Sequence, residues 1–366
     1  MKKILFIFHD SYNTGATISL YRIVEKLSYT HKYNIHVLFT SNSGNIAKLL
    51  KDKNVELHFL EKNSKKTIVK KILKRVLFFV QFLFLLLKIK PKLVYANTIL
   101  NFGEVVVAGM MNIATIVHVH EGRIFLSKNK VFLKISDIFT SEYVVVSNYA
   151  KESLKYFVRK NANMNVIYNG IEIQEKNKKT SKESFINISV IGTIDRNKSQ
   201  MLAIKACEEL RKIGIDNVHL HFFGKTSDKS YENELHAYIE KSSSQNNITF
   251  HGEVFESKKI YDLTDIVLVT SIDETFSLVA LEAFVNYIPV VASNVGGIPE
   301  VVEDSNSGLL FQSGDYIELS KKIEMLVLDD ALRMQITKNA YERAKKYFSI
   351  DVAVDKVSSI LDGYIK

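Results

Sequence analysis

The first 170 residues alternate short apolar runs with longer segments of helical period. A run such as Ile4–Phe8 is apolar at every position, which is typical of a strand covered on both faces. Strands of this kind that are separated by helices form parallel βαβ units, so the pattern predicts one doubly wound α/β domain. The strands predicted for this domain are Ile4–Phe8, Ile35–Phe39, Val55–Phe59, Leu93–Tyr95, Thr115–His118, Tyr143–Val146 and Val166–Ile167.

A polar stretch interrupts this alternation between residues 172 and 184, and it predicts a linker. A second alternation follows, with strands predicted at Ile186–Ile191, Val218–Phe223, Ile248–Phe250, Ile266–Val269, Val290–Ala292 and Gly308–Phe311. We therefore expect two Rossmann-like domains, residues 1–175 and 185–345, and a terminal helix over residues 349–366. Ligands bind at the carboxyl ends of parallel strands, so two such sheets are expected to face each other across one cleft.

The composition is that of an ordinary globular protein, with 366 residues, 46% apolar and 24% charged. The single cysteine, Cys207, excludes an internal disulfide and fits a reducing compartment. The first apolar run is too short for a signal peptide, because His9 and Asp10 follow Phe8 directly. These features predict a cytoplasmic protein.

Positive charge is concentrated between Lys62 and Lys92, where ten Lys or Arg occur without an acidic residue. No nucleic-acid motif accompanies this stretch, so the anionic inner face of a membrane is favoured over nucleic acid as its partner. The same stretch contains the apolar run Val76–Leu87, which is shorter than the ~20 residues needed to span a bilayer. It predicts either a buried helix of the domain or a helix lying in the membrane plane. Both predictions can be correct if one face of the helix packs on the domain and another contacts the membrane.

Two carboxylates bracket the start of a predicted helix between Ser271 and Ala283. Glu274 is expected in the loop after a strand, and Glu282 about one turn into the following helix. Backbone N–H groups of residues 276–279 at the helix N-terminus suit a phosphate, whereas carboxylates suit sugar hydroxyls. A nucleotide diphosphate sugar would satisfy the whole group.

The order of motifs in this half of the chain resembles the retaining nucleotide-sugar glycosyltransferases of family 4. The matching segments are Ser271–Ala283, Pro289–Ser293, Gly296–Val302 and Gly308–Phe311 followed by Gly314-Asp315. The resemblance implies the GT-B fold, with the terminal helix returning to the N-terminal domain. It implies transfer of a sugar, from a UDP-linked donor, to a hydroxyl of a glycan or lipid-linked glycan. It also implies that neither a metal nor a separate cofactor takes part.

The resemblance also suggests roles for single residues. It implies that Glu274 holds the transferred sugar, that Glu282 holds the ribose and that Lys198 neutralises the diphosphate. Thr193 stands where the family often has an arginine, so Arg196 is the candidate second cation. The residues expected to bind the donor are Gly15, Ala16, Arg196, Lys198, Gly252, Val254, Glu274, Phe276, Ser277, Leu278, Val279 and Glu282; those expected to be catalytic are Glu274, His120 and Lys198.

The segment His118-Val119-His120-Glu121 ends a predicted strand. Two histidines and a glutamate admit a metal site, but no further ligand cluster is apparent, and no metal is predicted. The resemblance implies that a histidine at this point reaches the donor sugar. His120 matches better than His118, because it lies beyond the end of the strand.

Two alternatives to transfer stay open. The departure at Thr193 admits a non-catalytic GT-B protein that binds a glycan or an active partner. A GT-B sugar-nucleotide epimerase is the other alternative. The Phe276–Leu278 and Gly296–Glu300 segments favour the transferase over the epimerase.

Overall fold

The computed structural model describes residues 2–12, 14–41, 44–62, 68–173, 185–242 and 245–365, including their side chains except those of 68–72. The chain divides into two compact units. Unit 1 comprises Met1–Glu172 and Phe348–Lys366, and unit 2 comprises Ile173–Tyr347. Residues 174–184, which make up most of the predicted linker, lie outside the described residues.

Unit 1 is built on a seven-stranded parallel sheet with the order β3-β2-β1-β4-β5-β6-β7. The strands are β1 Lys3–Phe8, β2 Asn34–Phe39, β3 Glu56–Phe59, β4 Leu93–Ala96, β5 Ala114–Val119, β6 Glu142–Val145 and β7 Met164–Val166. The central strands are buried on both faces, as their continuous apolar sequences predict. Each predicted strand is present, and β7 begins two residues earlier than predicted.

The helices of unit 1 are α1 Gly15–Tyr29, α2 Asn45–Leu50, α3 Ile68–Ile89, α4 Phe102–Met110, α5 Arg123–Lys128, α6 Lys130–Asp137 and α7 Asn148–Lys155, together with the C-terminal helix Ile350–Tyr364. The C-terminal helix packs on α1. Tyr33 Oη donates to Asp362 Oδ1 at 2.8 Å and lies 2.7 Å from Ser358 Oγ. Backbone hydrogen bonds of 2.8 Å on either side of Ile171 fix the start of this helix to unit 1.

Helix α3 contains the apolar run Val76–Leu87 and has two apolar faces. Phe78, Phe82 and Leu86 recur every four residues and are buried, and Phe82 and Leu86 share a core cluster with residues of β1, β2 and β4. The opposite face carries large apolar side chains that are 44–66% exposed. These are Leu73, Val76, Leu77, Val80, Phe84 and Leu87. In the described part of the chain, none of the helices combines the length and the hydrophobicity that a membrane span requires.

Unit 2 has a six-stranded parallel sheet with the order β10-β9-β8-β11-β12-β13. Its strands are β8 Ile186–Ile191, β9 Val218–Phe223, β10 Ile248–Gly252, β11 Ile266–Val269, β12 Val290–Ser293 and β13 Leu309–Phe311. Its helices are α8 Gln200–Lys212, α9 Lys229–Ile239, α10 Ser257–Leu263, α11 Leu278–Val285, α12 Ile298–Val301, α13 Tyr316–Leu328 and α14 Asp330–Tyr347. The strand order changes direction at β8, because β9 and β10 lie on one side of it and β11, β12 and β13 lie on the other. The loops after β8 and β11 therefore run to opposite faces of the sheet. This is the point at which open α/β sheets bind ligands.

Candidate functional site

The carboxyl edge of the unit 2 sheet brings together two of the predicted catalytic residues. Lys198 follows β8 and Glu274 follows β11, which pairs directly with β8. Lys198 Nζ donates to Glu274 Oε2 at 2.6 Å, and both side chains are mostly buried. Ser271 Oγ lies 3.4 Å from each of these atoms. Two residues that are 76 positions apart therefore form one charged pair at the edge where a ligand is expected.

The loop carrying Lys198 is tied to the loop carrying Glu274. The side-chain amide of Asn197 donates to the carbonyl of Asp273 at 3.0 Å and accepts from its N–H at 3.0 Å. The N–H of Ile272 donates to the carbonyl of Asn197 at 2.7 Å. These bonds hold the backbones of both loops together. The side chains of Lys198 and Glu274 are therefore placed close to each other by the backbone.

Gly296 and Gly297 hold the backbone of Glu274 from the other side. Gly297 N–H donates to the carbonyl of Glu274 at 2.8 Å. Gly296 has a φ of 57°, and a Cβ atom there would lie 2.0 Å from the same carbonyl oxygen. Only glycine fits this close approach, which gives the Gly296–Glu300 segment a physical role in placing the carboxylate.

Lys198 is positively charged in this environment. Burial lowers the pKa of its ammonium, but the charge and hydrogen bond of Glu274, together with Asp195, outweigh burial and raise it above its usual value. Asp195 Oδ1 also accepts from the Lys198 N–H at 3.0 Å. Ser199, which precedes α8, has a φ of 51°, an uncommon conformation that turns the chain directly after the lysine.

The N-terminus of α11 lies just beyond Glu274. Ser277 caps the helix by accepting from Ala280 N–H at 3.2 Å, and the first-turn residues Leu278 and Val279 are partly exposed. First-turn N–H groups have no partner within the helix, so this end attracts an anion. Phe276 is buried beside it. One turn further, Glu282 Oε2 accepts from Tyr261 Oη at 2.9 Å, which orients this partly buried carboxylate.

The side chain of Arg196 contacts residues at and near α9. Its guanidinium pairs with Glu234 and lies 3.6 Å from Asp228, and it stacks over Tyr231 at 5.4 Å. These contacts hold the side chain on α9. The structure therefore does not bring Arg196 to the ammonium of Lys198, and its role as a second cation stays a prediction.

Two further predicted donor residues lie at the carboxyl end of the edge strand β10. Gly252 ends this strand with a φ of 67°, and no atom lies within 4 Å of the position where its Cβ would be. Its carbonyl accepts from the N–H of Gly224, which follows β9, at 2.8 Å. Val254 lies two residues beyond and is partly exposed. Both residues therefore lie at the same sheet edge as Lys198, with open space at Gly252.

In unit 1, the two histidines at the carboxyl end of β5 differ in their surroundings. His118 is inside the strand and its Nδ1 lies 3.0 Å from Tyr95 Oη, whereas His120 lies beyond the strand end, as predicted. Burial lowers the pKa of His120 well below its usual value, and His118 and His9 lower it further. Its ring is therefore neutral at pH 7. Among the described residues, these histidines and Glu121 do not form a group with metal-ligand spacing.

Glu121 positions the loop that carries His120. Its carboxylate accepts from the N–H of His120 at 2.9 Å and from the N–H of Ile99 at 3.2 Å. Burial raises the pKa of Glu121 to about 7, although these backbone bonds lower it. No sequence motif indicates that Glu121 joins the loops after β4 and β5.

The predicted donor residues Gly15 and Ala16 form the first turn of α1. Thr14, which stands where a first glycine is common in the family, is the N-cap, and its hydroxyl forms a reciprocal capping box with Thr17. Asn97, after β4, donates to the carbonyl of Ala16 at 3.0 Å. Where a glycine would leave the backbone flexible, the Thr14 side chain caps α1 and so fixes the residue at which the helix begins.

Two family models match the chain. The model of Glycosyltransferase Family 4 matches residues 13–175, and the model of Glycosyl transferases group 1 matches residues 171–343. Together they cover nearly all of both units. The chain belongs to the family 4 glycosyltransferases, which have the GT-B fold.

Several characterised proteins resemble this one. The chain is 24% identical over 196 residues to the capsular polysaccharide biosynthesis glycosyltransferase CapM of Staphylococcus aureus, over 53% of this chain and 50% of CapM. It is 26% identical over 158 residues, 43% of each chain, to the Campylobacter jejuni alpha-1,4-N-acetyl-D-galactosaminyltransferase named for GalNAc-alpha-(1->4)-GalNAc-alpha-(1->3)-diNAcBac-PP-undecaprenol. The chain thus spans half or less of the length of these curated relatives. The crystal structure of Anabaena HepE with UDP and glucose has a TM-score of 0.84 at 20% identity, over 99% of this chain and 100% of HepE, and so shares its fold.

Proposed function

We propose that this protein is a retaining glycosyltransferase that moves a sugar from a UDP-linked donor to a hydroxyl of a glycan or lipid-linked glycan. The observation that carries the proposal is the Lys198–Glu274 pair beside the N-terminus of α11. An ammonium, a carboxylate and helix amides are the groups that a diphosphate and a sugar require. The Anabaena protein of the same fold binds UDP and glucose, which supports UDP as the donor nucleotide.

The chemistry follows from where charge develops. When the bond between sugar and diphosphate breaks, negative charge grows on the leaving phosphate. The ammonium of Lys198 and the first N–H groups of α11 stabilise that charge. Glu274 accepts hydrogen bonds from the sugar hydroxyls, and Glu282 accepts them from the ribose. No side-chain base is assigned, and an oxygen of the leaving diphosphate takes the proton of the acceptor hydroxyl. His120 is proposed to contact the donor sugar as a neutral ring.

The same groups make the proposed reaction independent of metal ions. Lys198 and the amides of α11 supply the positive charge that a bound divalent ion would otherwise supply. Transfer is therefore expected to continue at an unchanged rate in excess chelator. A rate that collapses with chelator and returns with a divalent ion would contradict this part of the proposal.

Nucleotide release from a panel of sugar nucleotides tests the proposal. A thermal-shift screen first selects the donor, because a bound ligand raises apparent stability. The wild type is expected to release UDP from that donor, whereas Lys198→Met should not. Lys212→Met, at the exposed end of α8, is the matched control and should behave as wild type. A donor that binds but is never cleaved would favour the non-catalytic alternative. Formation of an epimerised sugar nucleotide would favour the epimerase.

We further propose that the acceptor is lipid-linked and that unit 1 meets it at an anionic membrane surface on the cytoplasmic side. The exposed apolar face of α3, defined above, supports this, since large apolar patches on a surface mark interaction sites. The basic residues between Lys62 and Lys92 add charge complementarity to anionic lipid. The name of the Campylobacter jejuni relative describes an undecaprenol-linked substrate, which is a lipid of this kind.

A second apolar helix face lies beside the first. α3 packs on α4, and α4 packs on α6, where the rings of Phe102 and Phe132 stack at 4.5 Å. Large apolar side chains on α5 and α6 and directly after α6 are 46–73% exposed: Ile124, Val131, Phe132, Ile135 and Ile138. Four basic residues and no acidic residue occur between positions 122 and 136. The proposed membrane surface thus comprises α3, α5 and α6.

Part of the basic stretch is not available to lipid. Lys62 pairs with the buried carboxylate of Glu104 at 2.8 Å, and Lys74 pairs with Glu61. These two cations are therefore neutralised within unit 1, which corrects the expectation that the whole stretch faces a partner. Residues 63–67 lie outside the described residues.

Vesicle flotation tests the membrane proposal separately from catalysis. Wild-type protein should float with anionic vesicles at low salt and less so as salt rises, because salt screens exposed charges. The double variant Leu77→Gln/Phe84→Gln should lose flotation and keep donor binding. Leu328→Gln, a 68% exposed leucine of α13 in unit 2, is the matched control and should float as wild type. Wild-type protein that ignores anionic vesicles at low salt would contradict the proposal.

A further inference from the structure

Three side chains with metal-ligand chemistry meet on one face of the unit 1 sheet, at its edge. β3 is the edge strand and pairs in parallel only with β2 among the described strands. His36 on β2 lies opposite Glu56 on β3, and Leu38 lies opposite His58. Side chains two positions apart in a strand point to the same face, so Glu56 and His58 face the same side as His36.

The distances between the ligand atoms suit one metal ion. His36 Nδ1 lies 3.1 Å from His58 Nε2 and 3.4 Å from Glu56 Oε2, and all three ligand atoms lie within 4.8 Å of one another. Tetrahedral zinc with bonds of about 2.0–2.1 Å places neighbouring ligand atoms about 3.3–3.4 Å apart. Glu56 has a 62% exposed side chain, so its carboxylate can move to the ion.

The surroundings favour an ion that binds imidazole over one that needs carboxylates. His36 is buried and His58 is half-buried, so two imidazole nitrogens meet in a partly desolvated setting. Lys3 and Lys88 add positive charge nearby. With one carboxylate against two lysines, charge alone does not hold a hard cation such as Mg²⁺, whereas imidazole nitrogens suit Zn²⁺.

We propose that His36, Glu56 and His58 bind one Zn²⁺ ion, with water completing the coordination. The ion would link the edge strand β3 to β2 and so stabilise the outer edge of the unit 1 sheet, where β3 is only partly buried. Because the ligands lie outside the proposed donor site, zinc has no part in transfer, and removing it should leave UDP binding unchanged.

The chain contains a matched control for this site. His221 Nδ1 and His251 Nε2 lie 2.9 Å apart across β9 and β10, so they form a similar cross-strand pair in unit 2. There, His221 Nε2 faces the amide oxygen of Asn187 at 3.0 Å. Among the described residues, only the His36 group brings three His, Cys or carboxylate ligand atoms within 4.8 Å of one another.

Calorimetric titration of Zn²⁺ into chelator-treated protein without a histidine tag tests the proposal. Wild type should bind one ion per chain, and Mg²⁺ should not bind there.

Loss of a residue that merely orients a ligand costs about 10–100-fold in affinity, so Glu56→Gln and His58→Gln should each weaken binding by at least about a hundredfold. Glu56 is exposed, so its replacement does not threaten folding, and an unchanged circular dichroism spectrum and unfolding transition of the zinc-free protein confirm the fold of each variant. His251→Gln should bind zinc as wild type. The proposal would be overturned if wild type did not bind zinc, or if Glu56→Gln bound it equally well. Loss of zinc binding in His251→Gln would also overturn it.

Discussion

Lys198 Nζ and Glu274 Oε2 lie 2.6 Å apart, so each charge neutralises the other before any donor arrives. A diphosphate that binds Lys198 must compete with Glu274 for the ammonium. The carboxylate is then released toward the sugar hydroxyls that it is proposed to hold. The two residues should therefore respond differently to substitution.

Glu274→Gln should lower kcat without weakening donor binding. The substitution frees Lys198 for the diphosphate, but it removes the charged acceptor for hydroxyls of the reacting sugar. We expect kcat to fall by about a hundredfold or more, in the range found for groups that act on the transition state. Lys198→Met should abolish turnover, because no ammonium stabilises the leaving phosphate, and should also weaken donor binding about tenfold to a hundredfold, the effect of losing a charged hydrogen bond. Steady-state kinetics with calorimetric Kd values check this, and equal effects of both variants would undo the assignment.

Glu282→Ala should mainly weaken donor binding. The loss of charge-assisted hydrogen bonds to ribose costs about 1.5–3 kcal/mol, which is roughly tenfold to a hundredfold in Kd. Tyr261→Phe removes only the hydroxyl that orients Glu282, so its effect should be smaller. Calorimetric Kd values for UDP measure both variants. Unchanged UDP affinity in folded Glu282→Ala would rule out the ribose contact.

Gly296→Ala should reduce turnover although residue 296 carries no reactive group. A Cβ atom would lie 2.0 Å from the carbonyl oxygen of Glu274, so the loop holding the carboxylate must move. Gly314→Ala is the matched control, because Gly314 also has a positive φ, of 88°, but no atom lies within 4 Å of its Cβ position. Both variants carry backbone strain, and only Gly296→Ala should lower kcat strongly. Similar kcat values for the two variants would mean that the contact does not position Glu274.

Glu121 should make stability depend on pH in a defined direction. Its folded pKa is about 7, above the usual value of 4.5, so the folded state binds the proton more tightly than the unfolded state. The stabilisation is present below about pH 4.5 and is lost as pH rises through about 7. Glu121→Gln removes this titration. The Tm of wild type minus that of Glu121→Gln should therefore fall between pH 5 and pH 8, and a difference that is constant or rises would contradict the shifted pKa.

Local sequence was sufficient for most of the fold. Strands buried on both faces need continuous apolar residues, so each predicted run became a strand, and Ile186–Ile191, Val218–Phe223 and Ile266–Val269 match in both bounds. β7 was misplaced by two residues at its start, because the polar residue Asn165 interrupts the apolar pattern of this short edge strand.

The side-chain partners in the site depend on distant residues, which the sequence alone does not place. The motifs located Lys198 and Glu274 but not their ion pair, which depends on β8 and β11 being neighbours. Arg196 was the candidate second cation because Thr193 stands where the family often has an arginine. Its contacts with two acids near and on α9 depend on the fold, and its role stays a prediction. The His36 group was missed because it needs the register of β2 on β3. The sequence did contain one indication of this group, because Glu56 and His58 are two positions apart on one predicted strand and so share a face.

The stereochemistry of donor cleavage tests the central claim most directly. With water as acceptor, the wild type should slowly hydrolyse the selected α-linked UDP-sugar, and proton NMR can follow the anomer that is released first. Retention predicts that the α-anomer of the free sugar appears first and then mutarotates, and that Lys198→Met releases none. Initial release of the β-anomer would contradict a retaining transferase built around Lys198 and Glu274.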